Sequence, residues 1–232
     1  MLFIPLIINI NRAVAWRITW NMMNNYYNYI RNIRKKYLNY FNMSSKVLDI
    51  GCGDGVLMKY LQEEGYSVYG VDTDLQAVTH CVKNNLSVFQ KDAISFLQEN
   101  KNSFGSIICC HVIEHIPINQ IAQFIECCYN TLLNNGILLI ITPNVHTLEG
   151  TANFWNDPSH IRPYTIPCLE KLLTKAGFEI IEIGYDKNTK IIIRNDLIHF
   201  VLDAFRIILG FLCYGKPALY TEINVLARKK DI

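Results

Sequence analysis

The chain has little net charge and few charged residues. Its 22 Lys and Arg are nearly balanced by 20 Asp and Glu, so the formal net charge is only +2. One stretch is densely basic, residues 31–36, and a solvated helix face explains it more simply than a nucleic-acid contact does. Without a basic excess, the composition gives no strong indication of a nucleic-acid partner.

The chain also lacks paired cysteine motifs. None of its eight cysteines forms a Cys-x-x-Cys pair, and most lie in apolar runs, where a free thiol behaves as a small hydrophobe. This usage predicts a reducing compartment and hence a cytoplasmic protein. Residues 1–10 are apolar, but they are far fewer than the ~20 residues that span a bilayer, and no basic residue precedes the apolar run. They predict a packed leader rather than a signal peptide.

Half of the residues are apolar and 18% are charged, a composition that excludes general disorder. A chain of 232 residues is expected to form one substantial domain. Between Asn21 and Asn42, apolar and aromatic residues recur at steps of three and four, which predicts an amphipathic helix. We therefore expect a helical cap over residues 1–43 and a main domain over residues 44–232, within a single structural domain.

From Lys46 onward, predicted strands and helices alternate. The strands are expected at 46–50, 67–71, 87–90, 105–110, 136–142, 178–185 and 221–228, and the helices at 55–64, 75–84, 93–100, 119–134 and 166–176. This alternation predicts an α/β fold with a doubly wound, mostly parallel, seven-stranded sheet. An N-terminal helix and a helical insertion before the last strand complete the expected fold. Such sheets bind ligands beyond the carboxyl ends of their strands.

A glycine-rich turn follows the first predicted strand, in the pattern Asp49-x-Gly51-x-Gly53-x-Gly55. Glycines at these positions permit a tight turn and let a ligand approach the backbone. The spacing does not match the dinucleotide fingerprint, which requires Gly or Ala where Val56 stands. An ordinary connection would not need three alternating glycines behind an acidic residue, so the turn predicts a ligand site.

Acidic residues also end the second and third predicted strands. Asp72 could accept two hydrogen bonds from a ribose diol. Asp92 could accept one from an adenine amino group, although it could equally cap the helix that follows it. Three strand-end carboxylates together are hard to explain as three helix caps.

These segments together resemble class I S-adenosylmethionine (SAM)-dependent methyltransferases, which have a Rossmann-like fold. The resemblance rests on residues 47–55, 70–72, 92–93 and 110–116, and extends over about residues 44 to 185. It is closest to the group that holds ubiquinone-pathway and glycan (O-antigen-type) O-methyltransferases. The resemblance implies that SAM is the cofactor and that its pocket is lined by Asp49, Gly51, Cys52, Gly53, Asp72, Thr73, Asp92, Ala93, Cys110 and His111.

Methyl transfer to a hydroxyl group requires that a proton be removed from the acceptor. Histidine suits this step because its unperturbed pKa is close to neutrality. His115, beside Glu114, follows the fourth strand, and His160 lies in the loop after the fifth, so we predict these three as catalytic residues. His115 could equally be a structural histidine that orders its loop. In the same loop, which resembles a segment of sugar O-methyltransferases, Trp155, Arg162 and Tyr164 are predicted to contact a small-molecule or glycan acceptor.

Two alternatives from other functional classes stay open. Glu114, His115 and His160 have the side-chain types of a divalent-metal site, and the resemblance to small-RNA 2′-O-methyltransferases would make them ligands. His111 stands where those enzymes have a further Glu, so the metal site ranks below a metal-free histidine base. The second alternative is a partner subunit that binds SAM without catalysis.

Residues 197–213 form an almost wholly apolar segment. His199, Asp203 and Arg206 fall on one stripe at helical spacing, and the charged pair disfavours a spanning helix. The segment could cover the acceptor pocket, form a dimer contact or attach to a membrane surface.

Overall fold

A computed structural model describes residues 26–185, 205, 208 and 221–231. The strands are β1 Lys46–Ile50, β2 Ser67–Asp72, β3 Ser87–Gln90, β4 Phe104–Cys110, β5 Leu132–Pro143, β6 Phe178–Tyr185 and β7 Glu222–Lys229. The helices are α1 over residues 26–34, α2 Val56–Glu63, α3 Leu75–Lys83, α4 Ala93–Glu99, α5 Ile121–Thr131, α6 Leu148–Asn156 and α7 Ile166–Lys175. Two 3-10 helices span Lys35–Tyr40 and Ile113–His115.

The seven strands form one sheet in the order β3-β2-β1-β4-β5-β7-β6. Neighbouring strands are parallel from β3 through to β5, whereas β7 is antiparallel to both β5 and β6. The predicted doubly wound, mostly parallel sheet is confirmed. Its strand order reverses between β1 and β4, which is where such sheets bind ligands.

The central strands β1 and β4 are buried on both faces, as is usual for parallel strands covered by helices. Successive side chains along a strand point to opposite faces. In β1, Leu48 and Ile50 join one core cluster while Val47 joins the other. In β4, Ile107 and Ile108 divide between the two clusters in the same way. Both faces of these central strands are therefore covered in the described part of the chain, whereas the strand ends lie at the edge where such sheets bind ligands.

The predicted boundary between α5 and β5 was wrong. The helix ends at Thr131, and the strand begins at Leu132 rather than at Gly136. Asn135, within the strand, adopts a positive φ of 59°. The buried Lys229 ammonium donates to the Leu132 carbonyl oxygen over 2.7 Å, which holds the start of the strand against β7.

The loop expected after the fifth strand contains a helix, α6, that we did not predict. The Thr147 side chain caps it by accepting a hydrogen bond from the Gly150 N–H at 2.9 Å. Near the N-terminus, the predicted amphipathic helix is present as α1 over residues 26–34. The division of the chain at residue 43 stays a prediction. Within the described ranges, no helix is long and apolar enough to cross a membrane.

The predicted helical insertion and the apolar segment 197–213 lie almost wholly outside the described residues. Phe205 and Ile208 are the exceptions; both are helical, and both side chains are exposed.

Candidate functional site

The glycine-rich turn joins β1 to α2 at the carboxyl edge of the sheet. Gly51 and Gly53 both have positive φ values, 65° and 50°. A Cβ atom built on Gly53 would have no protein atom within 4 Å, so the turn leaves open space beside its backbone. The Gly53 N–H donates to Oδ2 of Asp72 over 2.8 Å, which ties the turn to the end of β2. This geometry fits a ligand lying against the turn.

Asp49 lies beneath this turn and is almost completely buried. Burial, reinforced by the nearby Asp72 carboxylate, raises the pKa of Asp49 to about 7, although Arg34 acts to lower it. A buried carboxylate is stabilised in its charged form by a neighbouring cation. SAM carries positive charge on both its ammonium and its sulfonium group, so the site suits that cofactor.

The two other strand-end carboxylates make local backbone contacts. Besides Gly53, Asp72 accepts a hydrogen bond from the Asp74 N–H at 2.9 Å. Asp92 caps α4 by accepting from the Ser95 N–H at 2.9 Å, and these contacts with Ser95 lower the pKa of Asp92. The capping role considered for Asp92 is therefore present in the structure. The ribose and adenine contacts stay predictions.

Three further residues predicted to line the cofactor pocket differ in how their side chains lie. The Cys52 side chain is buried against Met58 and Cys81, so only its backbone faces the turn. Burial raises the pKa of the Cys110 thiol to about 12, which keeps it neutral. His111, one residue past β4, has a positive φ of 55°, and its ring is partly exposed at the sheet edge.

Glu114, His115 and His160 converge, as the sequence predicted they could. Each offers one ligand atom, and these atoms lie within 4.8 Å of one another. His160 Nδ1 lies 2.6 Å from the Phe154 carbonyl oxygen, and His115 Nδ1 lies 3.3 Å from that of Ser159. A carbonyl oxygen only accepts, and the Ser159 hydroxyl, which also lies 3.1 Å from His115 Nδ1, donates its own proton to Asp157. Each Nδ1 therefore carries a proton, and each Nε2 is left for other chemistry.

The Glu114 side chain is completely buried beside these rings. Its Oε2 accepts a hydrogen bond from Thr142 Oγ1 at 3.1 Å. Its Oε1 has no hydrogen bond of good geometry but lies 3.3 Å from His111 Nδ1 and 4.0 Å from His160 Nε2. A buried carboxylate oxygen without a well-formed hydrogen bond is stabilised by a positive charge nearby, either a protonated imidazole ring or a metal ion.

Sequence reasoning missed Arg34 and Glu222, which meet at this edge. Arg34 is only 4% exposed and donates to both carboxylate oxygens of Glu222, at 3.0 and 3.3 Å. The prediction that residues 31–36 form a solvated face was wrong for Arg34, because α1 packs this side chain against the sheet. The position of Glu222 could have indicated its role, because Glu222 is the first residue of the last strand. Since that strand runs antiparallel to its neighbours, its first residue lies at the carboxyl edge of the parallel strands.

His111 bridges the two carboxylates. Its Nε2 lies 2.8 Å from Oε1 of Glu222, opposite the contact with Glu114. Burial opposes the charged ring, but the carboxylates of Glu114 and Glu222 outweigh it and raise the pKa of His111 to about 9. Burial also opposes ionisation of Glu222, but His111 and Arg34 prevail and lower the pKa of Glu222 to about 2. At the carboxyl edge of the sheet, the positively charged Arg34 and His111 therefore lie on either side of the negatively charged Glu222 in the series of contacts.

The three residues predicted to contact the acceptor lie in different environments. Trp155, on α6, is 72% exposed. The Arg162 guanidinium turns inward, 5.5 Å from the centre of the Tyr164 ring and 3.7 Å from the Cys168 Sγ. Tyr164 is completely buried in the core. An acceptor contact by Tyr164 therefore does not fit the structure, because its ring packs beneath the rim.

Residues 22–183 match the methyltransferase domain family. The rat mitochondrial ubiquinone biosynthesis O-methyltransferase is 32% identical over 108 residues, covering 43% of this chain and 31% of that protein. The corresponding Pelagibacter ubique enzyme is 32% identical over 127 residues, covering 50% of this chain and 52% of that protein. The chain thus spans about half, or less, of the length of these relatives.

Solved structures share the fold at low sequence identity. A SAM-dependent methyltransferase from Archaeoglobus fulgidus superposes with a TM-score of 0.72 at 23% identity, covering 88% of this chain and 94% of that one. The 1,6-didemethyltoxoflavin-N1-methyltransferase of Burkholderia thailandensis, solved with its substrate and S-adenosylhomocysteine, superposes with a TM-score of 0.55 at 15% identity, covering 81% of this chain and 72% of that one.

Proposed function

The chain belongs to the methyltransferase domain family, whose cofactor is SAM, and from this premise we propose that it methylates a hydroxyl oxygen of a small-molecule acceptor. The observation that carries the proposal is the cluster of His115, His160 and buried Glu114 at the same sheet edge as the glycine-rich turn. Relatives named as O-methyltransferases support a hydroxyl acceptor.

The cofactor half of the site is assigned to the strand-end residues. The space beside Gly53 and the buried Asp49 carboxylate suit the methionine part of SAM. We assign the ribose to Asp72 with Thr73, and the adenine to Asp92 with Ala93. The backbone at Cys52, Cys110 and His111 completes the pocket wall in this assignment.

The acceptor half is assigned to the two imidazoles. SAM, when bound, supplies an electrophilic methyl group on a sulfonium that is already a good leaving group. The hydroxyl oxygen forms the new bond to that methyl carbon, the carbon–sulfur bond breaks toward sulfur, and the hydroxyl proton passes to Nε2 of His160 or His115. The Nδ1 contacts with backbone carbonyls hold both rings in the tautomer that this step needs. Glu114 then stabilises the protonated ring.

The acceptor is more consistent with a neutral small molecule than with a phosphorylated sugar. Arg162, the positively charged residue predicted to contact the acceptor, is directed inward onto Tyr164. Trp155 instead offers an exposed aromatic face near the rim. Sugar hydroxyl groups nevertheless belong in the set of acceptors to be tested.

A second candidate role is favoured by the same geometry. One carboxylate oxygen and one ring nitrogen from each histidine form a ligand set that suits a divalent cation. The carbonyl contacts at Nδ1 are of the kind that orient metal-bound histidines. In this case the metal would lower the pKa of the acceptor hydroxyl, and a metal-dependent RNA 2′-O-methyltransferase becomes the alternative function.

One experiment separates these possibilities. The purified protein is incubated with methyl-labelled SAM and, separately, a catechol, a sugar nucleotide, a short RNA and fractions of a cell lysate, with and without a chelator. Chelator-resistant label on a small hydroxyl compound supports the proposal. Label that enters only RNA, and only with a divalent ion, supports the alternative. SAM binding with no transfer to any acceptor supports a non-catalytic partner subunit. The same assay on His115→Ala and His160→Ala tests the two imidazoles, and His80→Ala, on the exposed face of α3, is their matched control.

A further inference from the structure

Glu222 is linked to the proposed reaction centre by a chain of contacts. It begins β7, opposite Pro143 in the pairing with β5. Its Oε1 accepts a hydrogen bond from His111 Nε2 at 2.8 Å, and both of its oxygens accept from Arg34. The carboxylate is nearly buried, so these two neighbours fix its position.

His111 continues the chain toward Glu114. Its Nδ1 lies 3.3 Å from Oε1 of Glu114, so each ring nitrogen faces a carboxylate. Its backbone is held in the left-handed region and its N–H donates to the Ile141 carbonyl oxygen at 2.8 Å. The ring therefore cannot turn without losing one of its two carboxylate contacts.

Glu114 is the last residue in this series of contacts. Thr142 satisfies its Oε2, but Oε1 has no hydrogen bond of good geometry. That oxygen lies between His111 Nδ1 and His160 Nε2, at 3.3 and 4.0 Å. The direction in which Oε1 points thus depends on where the His111 ring is held, and Glu222 is the residue that holds it on the far side.

We infer that Glu222 is a positioning residue for methyl transfer, acting through His111 to keep the Glu114 carboxylate directed at His160 and His115. The inference rests on the proposed function only in treating those imidazoles as the reaction centre. It holds whether they accept a proton or bind a metal ion, because either role needs Glu114 in this orientation. Arg34, which lies on α1, belongs to the same series of contacts through its ion pair with Glu222.

The test uses Glu222→Gln in the full chain, since this change keeps the shape of the side chain and removes its charge. Glu222→Asp, which keeps the charge, is the conservative variant. Glu182→Gln is the matched control, because Glu182 lies on the neighbouring strand β6, is exposed, and accepts from Asn224 at 3.1 Å. For each protein we would measure SAM affinity by calorimetry, measure kcat and KM with catechol as the neutral hydroxyl probe, and determine a crystal structure.

The expected result is a fall in kcat of about 10- to 100-fold in Glu222→Gln, the range typical when a residue that orients a reactive group is lost. SAM affinity should stay within about twofold of the wild type, Glu222→Asp should recover part of the rate, and Glu182→Gln should match the wild type. In the crystal structure of Glu222→Gln, Oε1 of Glu114 should have turned away from His111.

Three results would overturn the inference. One is an unchanged kcat in Glu222→Gln, and another is a loss of SAM affinity as large as the loss of rate, which would assign Glu222 to the cofactor through Arg34. The third is an unchanged Glu114 orientation in the variant. If the wild type does not methylate the probe, the proposed acceptor has failed instead, and the crystal structures still decide the inference. If Glu222→Gln does not fold, Glu222→Asp is judged by the same criteria.

Discussion

The carboxylate of Asp72 accepts a hydrogen bond from the backbone N–H of Gly53 over 2.8 Å, across 19 positions of sequence. This contact joins the end of β2 to the turn after β1, so the two parts of the proposed SAM pocket hold each other in place. Asp72 therefore has a structural role in the turn as well as its proposed contact with the ribose.

Asp72→Ala should weaken SAM binding by about 10- to 100-fold. The change removes a charged acceptor, and hydrogen bonds of that kind contribute roughly 1.5 to 3 kcal/mol. Calorimetry with SAM measures the effect. Asp74→Ala is the matched control, since Asp74 caps α3 through the Gln76 N–H at 2.8 Å and has no proposed cofactor contact. Equal SAM affinities for the two variants would contradict the assignment of the ribose site.

Gly53→Arg should abolish SAM binding while the protein still folds. A side chain at this position enters open space rather than the core, so the new atoms occupy the volume assigned to SAM. The positive φ of 50° adds backbone strain, for which Gly53→Ala is the control. Gly184→Arg is the control, because a Cβ atom at Gly184 on β6 also has no neighbour within 4 Å. Circular dichroism verifies folding, and calorimetry measures binding. Wild-type affinity in a folded Gly53→Arg protein would show that SAM does not lie at the turn.

SAM affinity should depend on pH through Asp49. Its pKa is raised from 3.8 to about 7 in the folded, SAM-free protein, so the stability that its protonated form contributes is lost as pH rises through 7. A bound cation favours the ionised form, so affinity should be highest above pH 7 and fall about tenfold per pH unit below it.

Asp49→Asn should remove most of this pH dependence, weaken SAM binding at pH 8 and raise the melting temperature of the SAM-free protein at that pH. Calorimetry between pH 5.5 and 8.5, with a thermal melt at each pH, measures both effects. Asp74→Asn serves as the control on an exposed carboxylate. A pH slope as steep in Asp49→Asn as in the wild type would assign the dependence to another group.

If His160 or His115 is the base, replacing it with Ala should lower kcat by roughly 10²- to 10⁴-fold. SAM affinity should change little, since neither ring belongs to the residues assigned to the cofactor. The measurement is steady-state methylation of the acceptor identified with labelled SAM, and His80→Ala is the control. Full turnover in both variants would place the base elsewhere.

Removing metal ions with a chelator distinguishes the two roles considered for Glu114, His115 and His160, a metal-free base and a metal site. With a metal-free base, activity should be unchanged after dialysis against EDTA. Loss of activity that a divalent ion restores would make Glu114, His115 and His160 ligands instead. Glu99→Gln, at the exposed end of α4 where Glu99 pairs with Lys91, is a control for a non-specific effect of removing a carboxylate.

Local sequence patterns were sufficient to derive the sheet and the glycine-rich turn at its carboxyl edge. Strand and helix periodicity predicted all seven strands, and the boundaries of most lie within one residue of the structure. The glycine pattern with Asp49 and Asp72 predicted the turn at the switch point, because the residues that form such a turn are neighbours in the chain. The methyltransferase resemblance, confirmed by the family match, rested on the same local segments.

The acceptor side depended on contacts between distant parts of the chain. Arg34 and Glu222 are 188 positions apart, and they meet only because α1 packs on the sheet and β7 runs antiparallel beside β5. Tyr164 stands in a polar, proline-containing segment that resembles an active-site rim, yet packing places its ring in the core. Hydrophobic periodicity records which face a residue turns to the core, but it carries no information about which distant charges come together there. The chain of charges from Arg34 through His111 to Glu114 therefore follows from the way the elements pack.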